Sequence, residues 1–135
     1  MQNTRGYALL CETDHHSLLE ACRELSRRAA KGDLRPGQYF VLIDRDPEAS
    51  TFPQPILDLA PSYVYIYEDT GVRLEMLGGL GHFGVQAYPE DFKQPYADFR
   101  YGDRELIPGL WYYDDGYEGN PKYAKKIEAL LQKRK

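Results

Sequence analysis

A chain of 135 residues, 42% hydrophobic and 28% charged, has enough apolar material for a core of its own and needs neither a metal nor a disulfide to hold it. Its 17 basic residues against 21 acidic ones give a formal charge of -4, which excludes a general electrostatic pull toward nucleic acid or anionic lipid. No apolar run approaches the roughly 20 residues that cross a bilayer, so no membrane association is expected.

Residues 6–12 are short and apolar and read as a buried strand. Thr13 or Asp14 then caps a helix from His15 to Ala30, where Leu18, Ala21, Cys22, Leu25 and Ala29 recur at three- and four-residue spacing. Arg27, Arg28 and Lys31 suit the carboxyl end of its dipole, and Gly32 supplies the stop. After Arg35-Pro36-Gly37, the continuously apolar run from Tyr39 to Ile43 reads as an interior strand covered on both sides. Strand, helix and strand make a β-α-β unit, right-handed if the strands are parallel neighbours. Cys11 and Cys22 fall in the first strand and the helix, form no C-x-x-C pair and follow no leader-like start, so a cytoplasmic protein with reduced thiols is expected.

Residues 44–61 carry Pro47, Pro53, Pro55 and Pro61 and read as an ordered, partly mobile surface loop, with a short turn around Leu57 and Leu59. Two alternating segments follow, from Tyr63 to Glu68 and from Val72 to Met76. A three-residue loop at Asp69, Thr70 and Gly71 opposes Glu68 with Val72, putting Val64, Ile66, Val72, Leu74 and Met76 on one face. Tyr63, Tyr65, Tyr67, Arg73 and Glu75 take the other. Beyond the glycine-rich residues 78–81, Phe83 to Tyr88 completes a meander. Leu106 to Tyr113 reads as one more strand, interrupted or initiated near Pro108-Gly109, and Asn120-Pro121 starts a basic C-terminal helix near 121–134. The expectation is a single α+β domain over 1–135, with a β-α-β unit, an antiparallel meander and two helices on a mixed or antiparallel sheet.

Two sets of residues could carry function. Asp44 and Asp46 follow the expected strand, where paired carboxylates can hold a divalent cation or activate a nucleophile, and His82 sits among glycines where it could move a proton. Two acids after a strand more often solvate a turn, and glycines beside His82 more often admit a bulge or a tyrosine ring over bare backbone. His15 and His16 read as an ordinary exposed helix start, and the thiols as packing groups.

The other set is larger. Tyr63, Tyr65 and Tyr67 form an aromatic ladder edged by Arg73, and Trp111 and Tyr113 share a face if their strand is extended. Such surfaces bind partners, although aromatic rings also fill interiors. The favoured expectation is a non-enzymatic binding domain for a protein, a second copy of itself or a small molecule. A metal-assisted hydrolase using Asp44, Asp46 and His82 comes second. Single-stranded nucleic-acid binding comes third, because the basic residues do not interleave with the tyrosines. The sequence implies no cofactor.

Overall fold

Asp14 fixes where the helix over residues 15–30 starts. In the computed structural model, which describes residues 9–43, 45–68, 71–76, 83–90 and 104–114, its side chain accepts from the backbone N–H groups of His16 at 3.0 Å and Ser17 at 3.2 Å. These are donors that a helix cannot satisfy within itself. The helix, α1 (His15–Ala30), buries Leu18, Leu19, Ala21, Cys22 and Leu25 along one stripe. Gly32 takes φ 82°, and Asp33 N–H reaches back to the Arg28 carbonyl at 2.9 Å to close the end.

Among the described residues, six strands form one sheet: β1 (Gly37–Phe40), β2 (Tyr63–Ile66), β3 (Val72–Met76), β4 (Phe83–Ala87), β5 (Arg104–Ile107) and β6 (Leu110–Asp114). Their spatial order is β1-β2-β3-β4-β6-β5, and every neighbouring pair is antiparallel. A shorter helix, α2 (Gln54–Leu59), packs beside α1. Period-two alternation puts Tyr39, Val64, Ile66, Val72, Leu74, Val85, Leu110 and Tyr112 into one buried cluster with the inner stripe of α1 and with Ile56 and Leu59 of α2. The α+β class, the antiparallel sheet and the helices packed against it are therefore as the sequence leads one to expect.

Several details differ. Residues 9–12 are helical rather than extended, with Thr13 N–H donating to the Leu9 carbonyl at 3.0 Å, so no β-α-β unit is formed over the described residues. The run from Tyr39 to Ile43 is not an interior strand. It pairs only as far as Phe40, at the border of the sheet, and leaves Leu42 and Ile43 about half exposed. The proline-rich stretch is part of the core: a 3₁₀ turn over Pro47–Thr51 and α2 bury Ala49, Phe52, Ile56 and Leu59. Pro55 sits in the first turn of α2, where a missing N–H costs no hydrogen bond.

The β2–β3 hairpin keeps the expected faces in a different register. Ile66, not Glu68, opposes Val72, and Tyr67 N–H donates to the Gly71 carbonyl at 2.9 Å. A shift of two residues leaves each side chain on its own side. Gly71 has φ 104°, and a Cβ there would come 1.9 Å from the Ala87 carbonyl oxygen. At the other end of the sheet, Pro108 and Gly109 turn one expected strand into a second hairpin. Ile107 pairs with Leu110, and Gly109 has φ 96°, the proline-then-glycine pattern of a type II turn. The C-terminal helix expected near 121–134 lies outside the described residues.

Candidate functional site: the aromatic sheet face

Side chains that point away from the helices alternate with the core positions. The register lines up Phe40, Tyr63, Glu75, Gly84 and Tyr113 in one row across five strands. Gln38, Tyr65, Arg73, Gln86, Trp111 and Glu105 form the next row. The two aromatic groups that are separate in sequence thus meet on one surface, with Tyr63, Tyr65, Arg73, Trp111 and Tyr113 all on it. Tyr112, between the last two, points into the core and is fully buried.

The surface is closed at one end and open at the other. Tyr113 and Glu75 are buried, and the Tyr113 hydroxyl donates to Glu75 Oε1 at 2.5 Å and lies 3.3 Å from the Leu74 carbonyl oxygen. Gly84 makes this approach available, since a Cβ there would sit 3.0 Å from that hydroxyl. The Arg73 guanidinium stacks on the Tyr113 ring, Cζ to centroid 3.7 Å, close for a cation over an aromatic face. Tyr65 and Tyr67 lean on each other with centroids 4.7 Å apart, and Phe40 meets Tyr63 edge-on at 6.4 Å. Tyr65 is 36% exposed, the only large aromatic among the described residues to be so open.

Burial disfavours the Arg73 cation, but Tyr113, Tyr67 and Glu75 together outweigh it and hold the pKa above the ordinary arginine value. Arg73 is therefore a permanent positive charge in the middle of an aromatic surface. Burial, reinforced by Glu75 and opposed by Arg73, pushes the Tyr113 phenol up as well, and burial followed by Glu75 does the same for Tyr63. Both phenols stay neutral donors at physiological pH. Glu75, expected only as a polar edge, is instead the buried acceptor that orders the deep end, and its burial depends on a partner 38 residues away.

The acid and histidine set is divided. Asp44 and His82 lie outside the described residues. Asp46 is described, and its Oδ2 accepts the Phe40 backbone N–H at 2.8 Å, across the outer edge of β1. Its carboxylate closes a backbone donor that a border strand would otherwise present to solvent. Replacing Asp46 with alanine should lower the unfolding free energy by roughly 1–2 kcal/mol, as loss of a charge-assisted bond does, read as a lower urea midpoint at unchanged m-value. Among the described residues no group of three or more His, Cys, Asp or Glu side chains could hold a metal ion. His15 is not an exposed helix start: it is buried, with Nε2 2.8 Å from the Leu10 carbonyl oxygen, while His16 faces solvent. Neither cysteine forms a disulfide and both are buried, and burial pushes the Cys22 thiol up to about 12, far from a nucleophilic thiolate.

No helix among the described residues is long and apolar enough to cross a membrane. Comparison with protein-family models, with curated proteins and with solved structures finds no match for this chain.

Proposed function

We propose that the protein is a non-enzymatic binding domain whose aromatic sheet face docks a partner segment carrying an acidic group. The observation that carries this reading is the Arg73 guanidinium fixed on the Tyr113 ring, cross-strand from the exposed Tyr65. A cation already held in place loses little side-chain freedom when a carboxylate arrives, and tyrosine rings around it offer contact area with few rotatable bonds. Tyr65, Tyr67, Tyr63 and Trp111 provide that area, Arg73 selects the acid, and Tyr113 with Glu75 positions Arg73.

The partner is a separate molecule of acidic character, in keeping with the charge of the surface's central residue. A metal-assisted hydrolase has less support, because the one described member of its proposed acid pair bonds the β1 backbone.

Peptides selected on the full chain from a random displayed library should be enriched in Asp and Glu beside an apolar residue. Their affinity, read by fluorescence anisotropy, should fall at least about tenfold in Tyr65→Ala, with the far-UV circular dichroism unchanged. Binding that ignores Tyr65→Ala, or selected peptides without acidic enrichment, would remove this reading. Light scattering across protein concentration distinguishes the alternative occupant, a second copy of the chain.

A further inference from the structure

Where α1 passes the β2–β3 turn there is a groove of about 420 Å³, a volume in the range of small-molecule sites. It shares only Tyr67 with the aromatic sheet face and does not depend on the acidic-segment reading above. Its polar lining comes from three stretches of chain: Arg23, Ser26 and Arg27 on α1, Tyr67 and Glu68 leading out of β2, and Glu90 after β4. Ala30, Gly71 and Pro89 complete the wall.

The charges are balanced and sorted by element, with both guanidinium groups on the helix and both carboxylates on the strand side. A purely anionic ligand such as a phosphate ester would gain the arginines but meet Glu68 and Glu90. A purely cationic ligand would have the opposite difficulty. A ligand with a carboxylate at one end and an ammonium group at the other satisfies both sets.

The two arginines are prepared differently. Arg23 is anchored, its Nε donating to the Tyr88 carbonyl at 3.0 Å, and its tip packs where a Cβ on Gly109 would come 2.6 Å from Nη2. Arg27 is half exposed; its Nη2 pairs closely with Glu20 on the same helix, and its Nη1 reaches Glu90 at 3.9 Å, a long ion pair between two solvated side chains. The Arg27–Glu90 pair is weak, so a ligand of the same two charges parts it and replaces one loose contact by two, while Arg27 Nη2 stays on Glu20.

We infer that this groove binds a small zwitterion with an apolar body, a free α-amino acid or a dipeptide. The ligand carboxylate lies on Arg23 and Arg27, its ammonium group on Glu68 and Glu90, and its side chain against Ala30 and Pro89.

The test is a ¹⁵N–¹H NMR titration of the full chain with four probes: leucine, leucyl-leucine, N-acetyl-leucine and leucinamide. At least one of the first two should give saturable shifts at residues 23–30, 67, 68, 71 and 90, and blocking either charged end should weaken binding at least about tenfold. Arg27→Gln and Glu90→Gln, both at exposed positions, should each weaken it by a similar factor with circular dichroism unchanged. No saturation with either zwitterion would overturn the inference, as would N-acetyl-leucine binding as tightly as leucine, which would mark a plain anion site. Shifts confined to Tyr65 and Trp111 would do so too, while leaving the sheet face as a binding surface.

Discussion

Gly84→Ala is expected to cost about 3 kcal/mol or more of stability, an effect at or beyond the upper end of ordinary overpacking. A Cβ at that position would lie 1.8 Å from the Leu74 carbonyl oxygen and 2.9 Å from its carbon. Those atoms belong to the backbone of β3, next to β4 in the middle of the sheet, so no rotamer change relieves the contact. The strands must part, and parting them also pulls the Tyr113 hydroxyl from Glu75. Urea denaturation followed by circular dichroism measures the loss. A Gly84→Ala protein within about 0.5 kcal/mol of the parent would show that β3 and β4 are not packed as described.

The second large effect is a loss of stability in alkali. The unfolded chain releases a tyrosine proton near pH 10, whereas the folded chain retains that of Tyr113 to higher pH because its phenol is buried against Glu75. Above about pH 10 the unfolded state therefore binds fewer protons than the folded one. The stabilisation is complete below that pH and falls by about 1.4 kcal/mol per pH unit for this one phenol until the folded-state pKa is passed. Tyr63 and Tyr39, also raised by burial, add slopes of the same sign. Tyr113→Phe should lose about 1 kcal/mol at pH 8 through its missing hydrogen bond, yet decline less steeply from pH 10 to 11. Parallel declines in the two proteins, read from urea midpoints at each pH, would assign the alkaline sensitivity to other groups.

What was legible in the sequence follows from the range of each interaction. Alternation between Val64, Ile66, Val72 and Leu74 on one side and Tyr63, Tyr65 and Arg73 on the other is local, and it defines the two faces even though the hairpin register differs by two residues. An even slip leaves the hydrophobic pattern intact, so alternation alone does not choose between the two registers. Short apolar runs carry less information. Leu9-Leu10-Cys11 has the composition of a strand and is helical, since three or four residues cannot display a period. Likewise Tyr39 to Ile43 resembles an interior strand, but Asp46 folds back onto Phe40 and the pairing ends there. The signal for the second hairpin, proline followed by glycine at 108 and 109, is present in the sequence, where it reads as the interruption or the start of a single strand.

The site was legible in its parts and hidden in its assembly. Trp111 and Tyr113 can be assigned to one side of their own strand from parity alone. That β6 lies beside β4, so that these rings join Arg73 and Tyr65, is a pairing across some 25 residues that no local rule supplies. Glu75 is the clearest case. In sequence it is one more charged residue on the polar side of a hairpin, and only the arrival of Tyr113 beside Gly84 turns it into a buried acceptor.

The Asp46 carboxylate on Phe40 bears on how copies of this molecule could stack. An open sheet has two rims, and filament growth by strand addition uses both, each new copy offering its far rim to the next. On the β1 rim an incoming strand must first evict a carboxylate from the amide it would pair with. Among the described strands, growth stalled at that rim leaves β5 to β5 contact, which satisfies itself in a closed pair and propagates no further.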